Sequence, residues 1–276
     1  MRVLRRIVLP LVGLVALAAC GQAAPKGAAG DADQRYEGDF TVLESPKHGP
    51  ELCHVLALSL PPQCGGPAVV GWDWNAVEGE ETVRGTTWGG WHVTGTFDGE
   101  RFTLTGPAGP ERPQDQRQAP DFSAACAQPD GLDQARDSAE WDTAPHNFAT
   151  SGIPDLVASW VSYPTGPGNG PVVANVVVLP GSRQAAFDHI RTTYAGPLCV
   201  AERDGPTAAR LAEVQKELDG DDAVRVVLGR VKGTSPDQIR GVVVATVWVA
   251  GQASLDYVDQ RWDGLVELEP LLRPVA

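Results

Sequence analysis

The chain has 276 residues, with 22 Lys plus Arg against 35 Asp plus Glu, 42% apolar residues, 31 Gly, 23 Pro, eight Trp and five Cys. That apolar content excludes a disordered chain, and its even spread excludes a multi-span membrane protein. A formal charge of -13 argues against a nucleic-acid partner, because affinity gained by releasing phosphate counterions needs a basic surface.

The first 19 residues read as an address. Arg2, Arg5 and Arg6 precede the apolar stretch Ile7 to Ala19, which as a helix is only ~20 Å long against the ~30 Å of a bilayer core. The run ends in Leu17-Ala18-Ala19-Cys20, which resembles the lipobox of bacterial lipoproteins. Cleavage before Cys20 would leave a thiol carrying diacylglycerol, and two or three acyl chains, palmitate among them, anchor stably where one does not. Loss of the three arginines leaves 19 basic against 35 acidic residues, a charge of -16. An anionic membrane surface repels that charge, so the lipid must hold the protein at the outer face of the cytoplasmic membrane. Residues 20–35 read as a flexible tether rich in Ala, Gly and Asp.

Residues 36–106 carry short β-prone runs: Phe40 to Leu43, Leu52 to Leu58, Val69 to Trp74, Thr82 to Thr87, Trp91 to Phe97 and Phe102 to Thr105. The last two flank Asp98-Gly99, a strong hairpin signal. Five or six short strands in so short a span predict a small β-barrel, OB-like or SH3-like. From 107 to 150 the apolar period fails and the composition is polar and Pro-rich, the pattern of a linker, with a short helix expected from Asp130 to Trp141.

Residues 151–276 alternate. Leu156 to Tyr163 and Val172 to Leu179 read as strands. Ser182 is expected to cap a helix with Phe187, Ile190 and Tyr194 on one face, and Leu198 to Glu202 reads as a strand. Leu211, Val214 and Leu218 mark a second helix. Ala223 to Val231 and Val242 to Ala250 read as strands, Ser254 caps a third helix with Leu255, Val258 and Trp262 inward, and Leu265 to Leu268 is a final strand. The order strand, Ser-capped helix, aromatic, Gly, strand occurs twice, once from Val172 and once from Val243. A doubled βαβ unit predicts a ferredoxin-like α/β-sandwich, with the helix at 207–218 inserted between its halves. The fold class expected is α+β.

With Cys20 acylated, Cys53, Cys64, Cys126 and Cys199 remain, and an even number in an exported chain favours two disulfides. Cys53 with Cys64 straddles the turn Pro61-Pro62-Gln63, which leaves Cys126 with Cys199. A zinc site is the sharper alternative, but the spacings lack a CxxC or HxxxH unit.

Several stretches carry a resemblance: Leu43-Glu-Ser-Pro, His48-Gly-Pro-Glu-Leu-Cys53, Ser59-Leu-Pro-Pro-Gln-Cys64-Gly-Gly-Pro, Gly71-Trp-Asp-Trp74, Val93-Thr-Gly-Thr-Phe-Asp-Gly99, Gly196-Pro-Leu-Cys199-Val and Leu268-Glu-Pro-Leu-Leu-Arg-Pro274. In these the chain resembles a group of uncharacterised secreted proteins and lipoproteins of actinobacteria. The resemblance implies export and a two-domain layout and carries no catalytic residue. The excess of Arg over Lys, 18 to 4, fits the GC-rich genomes of such organisms.

No HExxH, nucleophile elbow, Walker loop or dinucleotide fingerprint is present in the sequence. Pro180-Gly-Ser182 at a helix start offers backbone N–H groups to an anion, although a capped strand-to-helix turn needs the same residues. His54, Asp73, His92 and Asp98 would form a metal or acid–base set only if the barrel brings their strands together. The acidic turns Glu78-Gly-Glu-Glu81 and Asp219-Gly-Asp-Asp222 lack EF-hand spacing. The most suggestive group is Trp72, Asp73, Trp74, Trp88 and Trp91: four tryptophans within 20 residues would make a stacking platform for a flat ligand, or else fill a small core. The expectation is a non-enzymatic envelope lipoprotein, without cofactor or catalytic residue, that binds an envelope protein or a cell-wall ligand. The alternative is an envelope hydrolase or glycan-active enzyme using carboxylates such as Asp73 and Glu78 beside the tryptophans.

Overall fold

The computed structural model describes residues 34–112, 121–133, 150–164, 166, 171–229 and 231–275. The address at 1–19, Cys20, nearly all of the tether, most of the helix expected from Asp130 to Trp141, and His146 lie outside the described residues.

The architecture is α+β and mostly strand. The first part contributes β1 (Arg35–Ser45), β2 (His48–Cys53), β3 (Ala68–Val70), a 3-10 turn (Trp74–Ala76), β4 (Glu81–Val83), β5 (Thr86–Phe97) and β6 (Arg101–Leu104). β1 pairs antiparallel with β2 and with β5, β5 with β6, β6 runs parallel to β3, and β3 pairs back to β2. Alternation along the ten-residue register of β1 against β5 turns Tyr36, Phe40 and Val42 and, from β5, Trp91, Val93 and Phe97 into one core. Two glycines make that core possible by close approach: a Cβ on Gly38 would sit 2.4 Å from the Phe40 ring, and one on Gly89 2.3 Å from the Trp91 ring. The rings cover backbone that has no side chain of its own.

Asp98-Gly99 forms the turn between β5 and β6, with Gly99 at φ +100°. The single strand expected from Thr82 to Thr87 is instead a hairpin. Arg84 and Gly85 both have positive φ, 52° and 79°, the requirement of a two-residue primed turn, and they fold β4 back on β5. Likewise the strand expected from Leu52 to Leu58 ends at Cys53.

The second part holds two units of the same topology. In the first, β7 (Leu156–Ser162) pairs antiparallel with β8 (Val173–Val178), α1 (Arg183–Arg191) crosses over, and β9 (Leu198–Glu202) lies parallel to β8. In the second, β10 (Gly233–Asp237) pairs antiparallel with β11 (Val242–Val247), α4 (Gln252–Trp262) crosses over, and β12 (Val266–Pro270) lies parallel to β11. The six strands form two three-stranded sheets, whereas a ferredoxin-like sandwich has a single sheet. Between the units stand α2 (Ala208–Gly220) and α3 (Asp222–Leu228). Leu211, Val214 and Leu218 of α2 pack with Val243, Ala245, Val247 and Trp262.

Three local expectations are corrected. Residues 223–228, expected as strand, are helical: Asp221 accepts the Ala223 N–H at 2.7 Å, a strong N-cap, and Val224 and Leu228, four apart, are the residues that face the core. Ser254 does not cap α4, which starts after Gly251; its hydroxyl donates to Val227 O at 3.1 Å, and Leu255 is exposed. Ser182 makes no side-chain cap bond and donates instead to Asp155 Oδ2.

Two disulfides are present, Cys53–Cys64 with Cα atoms 5.7 Å apart and Cys126–Cys199 at 5.9 Å. The second sits in a docked segment. The fully buried Asn175 accepts the Ala125 N–H at 2.8 Å and donates to Ser162 Oγ and Val173 O, Trp160 Nε1 donates to Ser123 O, and Asp130 exchanges both backbone bonds with Leu198. Residues 121–130, read from sequence as linker, are thus fixed to the β7–β8–β9 sheet.

The two parts also share a core. Trp248 and Val249, just after β11, and Leu272, just after β12, are buried with Phe40, Phe97 and Phe102. β13 (Arg273–Pro274) then pairs with Tyr36 and Glu37 of β1.

Tyr194 closes α1 and is buried, and burial pushes its phenol up, partly opposed by Arg191. A raised folded-state value means that the native state holds the proton longer, so stability is full below about pH 10 and falls as pH rises beyond it. Phenolate absorbance should show a step above the usual tyrosine range, and Tyr194→Phe should lower its amplitude by one tyrosine. An unchanged high-pH step in the variant would refute the assignment.

Candidate ligand-binding groove

The four tryptophans do not share one face. Trp72, Trp74 and Trp91 pack edge to face with centroids 5.1 to 5.6 Å apart, Trp91 being buried and the other two half-buried against the first core. Strand alternation puts Trp88, three residues from Trp91 on the regular β5 ladder, on the opposite face. The polar neighbours of the cluster are occupied: Trp74 Nε1 donates to Glu44 Oε2, and Asp73 caps the 3-10 turn by accepting the Asn75 N–H at 2.9 Å. Glu78 is exposed.

His54, Asp73, His92 and Asp98 are not brought together. His92 Nδ1 lies 3.1 Å from Asp39 Oδ1, and Nε2 lies 3.5 Å from Glu37 Oε2 without making a hydrogen bond. Arg112 ties this group down, donating its backbone N–H to Asp39 and its guanidinium to Glu37. Asp98 accepts the backbone N–H groups of Glu100 and Arg101 across its turn. Those bonds, Glu100 first, hold its carboxyl below the usual carboxylate value. Among the described residues no group of three or more His, Cys, Asp or Glu has the arrangement of a metal site.

The anion position at Pro180-Gly-Ser182 is filled from within. Glu202 Oε1 accepts the N–H of Gly181 at 2.8 Å and of Arg183 at 3.3 Å, so the chain's own carboxylate satisfies the start of α1. The acidic turn at 219–222 is also employed: Asp219 accepts from Thr234, and Asp221 holds Arg261.

A broad concavity lies elsewhere, where the two parts of the chain meet. A groove of about 1240 Å³ runs between the β5–β6 turn and β3 on one side and the end of α2, α3 and the start of β10 on the other. Its wall carries both signs of charge, Arg101, Arg225 and Lys232 against Glu51, Asp98 and Asp219. Trp248 forms part of it, with the Lys232 ammonium 5.2 Å from the indole centroid and donating to Gly65 O. Lys232 therefore bridges the loop before β3 and the tryptophan that joins the cores. Sequence reading missed this site because its residues come from five separated segments, and the only local signal is an aromatic, Trp248, set at the end of a strand. No helix among the described residues is long and apolar enough to cross a membrane. Neither the known protein families nor the curated proteins give a match to this chain.

Proposed function

We propose that the protein is a non-enzymatic lipoprotein of the cell envelope, anchored through Cys20 at the outer face of the cytoplasmic membrane, that binds an envelope protein or a cell-wall ligand in the groove between its two parts. The observation that carries this reading is the groove itself: about 1240 Å³, above the ~300–1,000 Å³ of small-ligand pockets and so roomy enough for a peptide, and lined by both charges around one indole. Such a wall suits a zwitterionic ligand, a cell-wall peptide or a segment of another protein, whose ammonium and carboxylate groups each meet an opposite charge. The lipobox-like Leu17-Ala-Ala-Cys20 and the two disulfides support an extracytoplasmic setting. We further propose that the first part is a small barrel of the OB or SH3-like kind, the OB form being favoured by the cyclic order β1-β2-β3-β6-β5 and the parallel β3–β6 pair. A ferredoxin-like kinship of the second part rests on its doubled βαβ order.

Titrating the purified protein with soluble cell-wall muropeptides while following tryptophan fluorescence tests the reading. Saturable binding is expected, weakened about tenfold or more by Arg101→Glu and by Lys232→Glu, since reversing a charge that meets the ligand costs over 1.4 kcal/mol. Binding unaffected by both changes would remove the groove from the proposal, and turnover of the muropeptide would replace binding with catalysis.

A further inference from the structure

Residues 54–63, His-Val-Leu-Ala-Leu-Ser-Leu-Pro-Pro-Gln, contain no Asp, Glu, Lys or Arg, in a chain where 21% of residues are charged. The Cys53–Cys64 bond closes them into a loop. Three of its large apolar side chains point outward: Val55 is 70% exposed, Leu58 107% and Leu60 70%. Water disfavours such a tip, and single large apolar residues projecting from a convex loop have no core of their own to fill.

Part of the tip's backbone is paired from within. Ala57 N–H donates to Gln63 O and Ser59 N–H to Ala57 O, both at 2.8 Å. The Ser59 hydroxyl donates to Pro61 O at 2.9 Å, and Pro61 and Pro62 have no N–H to satisfy. A segment that carries no charge and presents large apolar side chains can seat them in the lipid interface while its remaining backbone groups face the hydrated headgroups.

Position favours the same partner. Cys53 lies opposite Thr41 of β1, ~20 Å along the strand from Arg35, while the 14 residues from Gly21 to Gln34 reach at most ~48 Å. A chain held by Cys20 therefore keeps the tip within reach of its own bilayer.

We propose that the Cys53–Cys64 loop is a second membrane contact, with Val55, Leu58 and Leu60 seated in the lipid interface beside the acyl anchor. The inference rests on the anchored reading for its setting, and its test does not depend on acylation. Residues 21–276 carrying a hexahistidine ahead of Gly21 are held on phosphatidylcholine vesicles by nickel-chelating lipid, with p-benzoylphenylalanine replacing Leu58 or, as a control, the exposed Val226 of α3. Photolysis should give lipid adducts at position 58 and not at 226, and Leu60→Asp should cut the yield at 58 by about tenfold, the partition change expected for one leucine. Equal yields at the two positions overturn the proposal. So does a protein adduct without a lipid adduct when the same probe is placed in the full chain in cell membranes, which would make the loop a protein-docking site. Anchoring fails separately, if Cys20→Ala leaves the full chain's membrane retention unchanged.

Discussion

Trp248→Ala is expected to lower the free energy of unfolding by about 3–5 kcal/mol, the range for truncating a buried tryptophan. The indole is 5% exposed and lies 5.7 Å from the Phe40 ring and 6.2 Å from the Phe97 ring. It belongs by chain position to the second part of the molecule and by packing to the first, so the cavity left by the variant opens where the two meet. Val249, Leu272, the Lys232 bond to Gly65 O and the β13 ladder on β1 would then remain to hold the parts together. Urea unfolding of the wild type should be a single transition, and the variant should show a lower midpoint with the transition broadened or split. A shift below ~1 kcal/mol, with one sharp transition retained, would mean that the shared core contributes little to stability.

Removing the Cys126–Cys199 bridge by paired Cys→Ala changes should cost about 4 kcal/mol by chain-entropy reasoning over a separation of 73 residues. The loss should be local as well as global. The bridge stands next to Asn175, which is opposite Cys199 in the parallel β8–β9 register and holds the Ala125 N–H. Without the covalent tie, the 121–130 segment depends on that hydrogen bond, on Trp160 with Ser123, on the two backbone bonds of Asp130 with Leu198 and on Arg191 with Asp130. Amide exchange at Ala125 and Asp130 should accelerate more than exchange within β8. Unchanged protection at both amides, with stability lowered, would show that the segment is held by its hydrogen bonds and that the bridge acts only on the unfolded chain.

Much of the fold was legible because its signals are local. Asp98-Gly99 marked a hairpin through the one residue that takes positive φ freely, and the valine runs of β8 and β11 marked strands. The failures have local causes too. Arg84-Gly85 makes a primed turn although Arg, unlike Asn, carries no signal for positive φ. Residues 223–228 read as strand because valine is β-prone, but a capping Asp221 and core positions four residues apart prevailed over that preference. At the candidate site, the aromatic residues closest in sequence, Trp72 to Trp91, drew attention by their density. The groove gathers residues from Glu51 to Trp248, which no spacing rule could join.

The sequence alone determined the α+β composition, the acidic charge balance, the four cysteines that follow Cys20 and the twofold recurrence of a strand-helix-strand order, since each depends only on residue type and near spacing. The tertiary structure decided which tryptophan matters to the groove, that the polar stretch at 121–130 is docked on a sheet, and that the chain's last strand returns to its first. Those outcomes depend on which distant surfaces bury one another, and burial is a property of the assembled chain rather than of any window along it.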